Sequence, residues 1–244
     1  MFLLDTHMHF DLISDKREKI LEQLERECIY TIAVTNLPKL YLKYQDEVNW
    51  NKYKYCRLAL GFHPELVEQY PNQIHSFIKA LPQARFIGEV GLDFSKNDNT
   101  LKTKQIEIFQ RIIDECSLYK NKILTIHSRN AVENTLSVMD SFKGKAIFHW
   151  YSGSLKHLDE IVERDYFLSI NPQMLKSSKG REIINRIPIE KLLIESDAPF
   201  TKGLNKEYSV FFIDKIYEYL SNTRNLKEEE LSTIIRNNFK TLLT

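Results

Sequence analysis

Phe2-Leu3-Leu4-Asp5-Thr6-His7-Met8-His9-Phe10 is an apolar run that ends in a His-x-His pair. Its composition predicts a strand. Side chains two apart on a strand share a face, so His7 and His9 can hold one metal ion from a rigid element. Outward from this run the chain repeats a theme. Apolar runs at 28–34, 57–61, 85–89, 123–127, 146–149, 166–170 and 191–195 read as further strands, rich in Ile, Leu, Val and Phe. Helical patterns separate them, among them 15–27, a stretch that starts at Pro38, and 102–118. The tail, 207–243, reads as two helices broken at Asn222-Thr223-Arg224-Asn225 and packed outside the sheet. Continuous apolar strands divided by helices predict a parallel sheet covered by helices. About eight such units in a chain of this length predict a closed (β/α)8 barrel. An open doubly wound sheet is the alternative, but it uses fewer strands and a GxGxxG turn, which is absent. No linker or low-complexity tract divides residues 1–244, so one domain is expected.

Bulk charge narrows the function classes. Thirty-four basic residues against 33 acidic ones leave a formal charge of +1, which gives no case for a nucleic-acid coat or a membrane-surface protein. Cys28, Cys56 and Cys116 are too few and too scattered for a disulfide framework or zinc ribbon. Buried free thiols are expected, with a cytoplasmic location, no membrane span and a monomeric state.

The metal-type residues fall where strands end. His7 and His9 end the first, His63 follows the third, Glu89 ends the fourth, His127 the fifth and His149 the sixth, and Asp197 follows the eighth. In a (β/α)8 barrel the carboxyl ends of all strands converge on one face, which carries the active site. Five of seven histidines in that position favour a metal pocket over scattered core or surface roles. His75 and His157 sit inside helical patterns and fit the ordinary roles.

The ordered set resembles the TatD family of metal-dependent nucleases, within the amidohydrolase superfamily. Six segments carry the resemblance: Asp5-Thr6-His7-Met8-His9-Phe10-Asp11, Gly61-Phe62-His63-Pro64, Gly88-Glu89-Val90-Gly91-Leu92-Asp93-Phe94, Ile126-His127-Ser128-Arg129, His149-Trp150-Tyr151-Ser152-Gly153-Ser154 and Glu195-Ser196-Asp197-Ala198-Pro199-Phe200. Ser169-Ile170-Asn171 and Arg236-Asn237-Asn238-Phe239 match weaker positions. The resemblance implies two divalent ions, Zn²⁺, Mn²⁺ or Mg²⁺. His7, His9 and Asp197 would hold the first, His127 and His149 the second, and Glu89 would bridge them. Asp197 would also take the proton of the attacking water, with a helix N-cap as its structural alternative. His63, Arg129, Trp150 and Lys202 would contact substrate, Trp150 by stacking, although Arg129 is equally suited to pairing with Asp93. Asp5, Asp93 and Glu195 would orient the ligands. Ser152-Gly153-Ser154 would offer amides to a phosphate or simply start a helix.

Two departures concern substrate. Glu65 stands where many relatives carry a second histidine, and the stretch 200–207 has Lys202 and Lys206 in place of an arginine-bearing loop. The resemblance implies a 3′–5′ exonuclease acting on single-stranded DNA. The alternatives are an amidohydrolase-type esterase or amidase, such as a D-aminoacyl-tRNA deacylase, and a subunit of a multi-protein antiviral module.

Overall fold

In the computed structural model, which describes residues 1–13, 16–204 and 208–244, eight strands alternate with helices. The strands are β1 (Leu4–His9), β2 (Tyr30–Val34), β3 (Cys56–Leu60), β4 (Phe86–Gly91), β5 (Ile123–His127), β6 (Lys145–Phe148), β7 (Phe167–Ile170) and β8 (Leu192–Ile194). The helices are α1 (Arg17–Arg26), α2 (Pro38–Glu47), α3 (Gln73–Ala80), α4 (Asn99–Ser117), α5 (Val132–Val138), α6 (Leu155–Glu163), α7 (Ser178–Arg186), α8 (Phe211–Arg224) and α9 (Glu228–Leu243). The sheet order is β1 through β8 in sequence, and every pair is parallel. The chain just beyond β8 closes the circle on β1. The Asp197 amide donates to the His7 carbonyl (2.8 Å), and the His9 amide donates to the Ala198 carbonyl (2.9 Å). This is the (β/α)8 barrel that the strand count predicts.

Core strands are apolar without a break because a parallel barrel buries both faces of each strand. All six residues of β1 and of β4 are buried. These two strands share an irregularity. Thr6 and His7 stand opposite one residue of β2, and Gly88 and Glu89 opposite one residue of β5. An extra residue re-aims the side chains around it. Both bulges fall on candidate ligands.

The tail helices pack as expected and lock the last strand. The Asn238 side-chain amide donates to the carbonyls of Ile189 (2.7 Å) and Leu192 (2.9 Å), and the Tyr217 hydroxyl donates to the Phe2 carbonyl (2.9 Å). Asn225, at φ 52°, makes the break between α8 and α9. The expected helix at 15–27 is observed as Arg17–Arg26, and Asp15 lies outside the described residues. Lys206 and Glu207, the start of the predicted tail, lie outside them too.

Two expectations need correction. The run 28–34 does not form a strand throughout. Cys28, at φ 56°, turns the chain after α1, so β2 begins only at Tyr30. Cys28 is also exposed, whereas Cys56 and Cys116 are buried free thiols as expected. No helix among the described residues is long and apolar enough to cross a membrane.

Candidate metal centre

The carboxyl ends of the strands surround a cavity of about 540 Å³ whose wall includes His9, His63, Glu89, His127, His149 and Asp197. Another cavity, about 600 Å³, is walled by side chains such as Tyr53, Arg57 and Arg85. It carries no carboxylate or imidazole and takes no part in this site.

Glu89 organises the centre, and the backbone explains where it stands. Gly61, the residue after β3, lies so close to its neighbours that a Cβ there would meet the Thr35 carbonyl oxygen at 1.6 Å and the Glu89 nitrogen at 2.6 Å. Lacking one, it lets the chains on either side of β3 bond directly. The Thr35 amide donates to the Gly88 carbonyl (3.1 Å), and the Glu89 amide to the Thr35 carbonyl (3.2 Å). The Glu89 side chain therefore projects from a pinned backbone.

Its two oxygens face different donor groups. Oε2 lies 3.6 Å from His7 Nε2 and 3.4 Å from His9 Nε2. Asp197 Oδ1 completes that group, 3.7 Å and 3.3 Å from the same two nitrogens, which are 3.3 Å apart. Four donors held tetrahedrally at about 2.1 Å from one ion would be about 3.4 Å from each other. Oε1 faces the other way, 2.5 Å from His127 Nδ1 and 2.7 Å from His149 Nε2. These two nitrogens are 3.3 Å apart. The His7 and His149 rings stack at 3.9 Å between the two groups.

Two observations match this donor set to a cation. Glu89 Oε2 and Asp197 Oδ1 are buried with no hydrogen-bond partner, a costly state for a carboxylate oxygen unless a cation meets it. Imidazole and carboxylate are also the ordinary ligands of Zn²⁺ and Mn²⁺. Apart from any ion, the imidazoles themselves balance the buried carboxylate. Burial pushes the Glu89 carboxyl up, but the facing His63, His149 and His127 more than reverse it and hold it well below the usual range. Burial also pushes His127 and His149 down. Glu89 together with Asp93 at His127, and with Glu195 at His149, more than reverses this, and both rings end above their ordinary value.

The supporting carboxylates are themselves fixed. Asp93 Oδ2 contacts His127 Nε2 at 2.8 Å, and its Oδ1 accepts the Ser95 amide at 2.8 Å. Asp93 is thus engaged with His127, and the alternative pairing with Arg129 is not formed. Arg129 is exposed at the cavity wall and makes no ion pair among the described residues. Glu195 accepts from the Trp150 amide (3.0 Å), the Asn171 side-chain amide (3.0 Å) and the Ser169 hydroxyl, and lies 3.9 Å from His149 Nδ1. Asp5 accepts from the amides of Ser196 (2.8 Å) and His7 (3.2 Å), which ties β1 to the segment that carries Asp197. Burial pushes its carboxyl up to about 7, although these bonds and that from Tyr208 oppose the rise.

Other expectations resolve as follows. Asp197 caps no helix. The amides of Phe200 (2.8 Å) and Thr201 (3.2 Å) go to its backbone carbonyl, so the side chain is left to the cluster. Asp197 stands at φ 48° and Trp150 at φ 36°, unusual backbone positions beside the site. Ser154 is an ordinary N-cap of α6 (3.3 Å to the His157 amide). Lys202 is exposed and is not part of the cavity wall. Sequence reasoning missed Tyr208, whose hydroxyl donates to Asp5 (2.9 Å), and Phe200, which walls the cavity. Adjacency of Phe200 to the Ser196-Asp197-Ala198-Pro199 segment was an available signal. Tyr208, 203 residues from Asp5, gave none.

Fold and site define a class: a parallel barrel whose strand ends gather imidazoles and carboxylates able to hold a metal. Residues 4–244 match the model of the TatD related DNase family, and the chain belongs to that family. It is 27% identical to the uncharacterized metal-dependent hydrolase YabD of Bacillus subtilis, over 98% of each chain. It is 32% identical to the 3′–5′ ssDNA/RNA exonuclease TatD of Salmonella typhimurium, over 61% of this chain and 60% of that protein. Among solved structures, YJJV, a TatD homologue from Escherichia coli, superposes with a TM-score of 0.82 at 22% identity, covering 99% of this chain and 97% of that one.

Proposed function

We propose that the chain is a two-metal phosphodiesterase that removes nucleotides from the 3′ end of single-stranded DNA. The observation that carries this reading is the Glu89 carboxylate, whose two oxygens face two separate groups of imidazoles. His7, His9 and Asp197 would hold one ion and His127 and His149 the other, with Glu89 facing both groups. Ions there would supply Lewis acidity toward a phosphoryl oxygen and a water acidified toward neutrality.

The chain's own residues do the rest. Asp197 lines the cavity and would orient the attacking water and accept its proton through the carboxylate oxygen that does not hold the ion. Asp93 holds the ring of His127 in register, and Glu195 stands 3.9 Å from Nδ1 of His149. His63 is a phosphate donor. Burial pushes its pKa down to about 3, so its ring is neutral at neutral pH. Its Nδ1 accepts the Glu65 amide (3.3 Å), which leaves the proton on Nε2, the atom 3.6 Å from Glu89. Arg129 offers its fork of donors at the rim. The exonuclease name of a TatD relative supports nucleic acid as the substrate.

Metal analysis combined with digestion of a 3′-labelled oligonucleotide tests the proposal. Wild type is expected to hold two ions per chain and to shorten the strand. Asp197→Asn should slow it about 10²–10⁴-fold. Digestion left unchanged by both Asp197→Asn and Glu89→Ala would remove this mechanism.

A further inference from the structure

Phe200 is 58% exposed. Among the described residues seven large apolar side chains stand exposed, and Phe200 is the one that borders the metal cavity. Its ring meets His9 edge to face, 4.9 Å between centroids. It therefore stands beside the His7, His9 and Asp197 group. Trp150, the stacking residue the sequence suggests, lines the same cavity but is less exposed: it is partly buried against the core, and its amide is held by Glu195.

We propose that Phe200 is the platform on which a substrate base stacks, an inference that rests on the phosphodiesterase reading above. A phosphate lying over Glu89 has Phe200 on its β8 side and Arg129 on its β5 side. The strand then crosses the mouth with one base on Phe200 and a neighbouring phosphate at Arg129. An internal base of a duplex has both faces covered by its neighbours, so stacking on Phe200 favours the unstacked bases of a single strand over duplex. Stacking on a π-face is tolerant of base identity, so the selection carries no sequence preference.

A phosphorothioate-linked, hydrolysis-resistant oligonucleotide with 3′-terminal 2-aminopurine reads the stack directly, because stacking quenches its fluorescence. Wild type and Phe200→Tyr are expected to quench it. Phe200→Leu, which keeps apolar bulk, and Phe200→Ala are expected not to, while Trp150→Leu still quenches. In digestion of single-stranded DNA, Phe200→Ala should raise KM about tenfold. That penalty should vanish on a strand whose two 3′-terminal nucleotides lack bases, a cycle that isolates the ring–base contact. Quenching by Phe200→Ala equal to wild type, loss of quenching in Trp150→Leu alone, or an equal KM penalty on the abasic strand would overturn the assignment. Wild type that digests neither strand defeats the phosphodiesterase reading by itself, and the quenching still decides whether Phe200 stacks a base.

Discussion

Lys122, just before β5, and His127, its last residue, place charge at opposite ends of one strand, and the two ends treat it differently. Lys122 is 2% exposed, and its ammonium donates to the carbonyls of Leu81 and Ala84, each at 2.7 Å, with the Tyr119 ring 4.3 Å away. Burial pushes its pKa down, but its partners are all backbone or aromatic, so it ties the end of α3 to the sheet. At the other end, His127 faces Glu89, and the cluster around it retains buried carboxylate oxygens with no partner. The amino end uses buried charge to hold the fold. The carboxyl end holds charge ready for a ligand. This is the division of labour expected of a parallel barrel.

Substitutions break the comparison in a graded order. Glu89→Gln should have the largest effect, because an amide cannot supply two anionic oxygens to two groups. Loss of hydrolysis by about 10³-fold or more is expected in steady-state kinetics, with the circular dichroism spectrum of the fold retained. Lys122→Met should do the reverse. It removes both bonds and strands the Ala84 carbonyl, whereas that of Leu81 keeps the Ala84 amide (3.2 Å), and it should cost about 3 kcal/mol, or about 6–12 °C in Tm, while the activity of each folded molecule at 25 °C is retained. Addition of Zn²⁺ or Mn²⁺ at 100 times its Kd should stabilise wild type by about 2.7 kcal/mol, or about 5–10 °C in Tm. The same ions should leave the Tm of a Glu89→Ala, Asp197→Asn double variant almost unchanged. A large metal-dependent shift in that variant would place the ions elsewhere.

The sequence makes one end of this comparison easier to read than the other. Strand ends are legible because both faces of a parallel strand are buried, so each apolar run stops where the site begins. His7, His9, Glu89, His127, His149 and Asp197 were found that way and stand together in space. What escaped depends on tertiary geometry. The turn at Cys28 is one left-handed residue inside an apolar, β-branched run, so composition carried the strand two residues too far. Trp150 lines the cavity, as its place beside His149 suggests, whereas the exposure of Phe200 is a property of the folded rim. The contact between Asp5 and Tyr208 spans 203 residues and follows no period. Lys122 is one of many lysines in the sequence, and only the bend after α3 makes it internal.

Asp93→Asn probes the smallest step that still distinguishes the two ends. Asp93 Oδ2 contacts Nε2 of His127, and with an ion bound it would keep the proton there and leave the Nδ1 lone pair for the ion. An asparagine can present the same acceptor oxygen without its charge. It can also flip, offer its amide to Nε2 and favour the wrong tautomer. Substitution of such a partner usually costs 10–100-fold in metal affinity or activity. The expected result is therefore weaker binding of one ion of the two, read by competition with a chromophoric chelator, while the ion beside His7 and His9 keeps its affinity. Asp93 is buried, but its lost bonds lie at the carboxyl end, so the metal-free Tm should fall less than for Lys122→Met. Equal weakening of both ions would mean that Glu89 transmits the change across the centre. A Tm loss as large as that of Lys122→Met would mean that the carboxyl end also supports the fold, and the division between the two ends would fail.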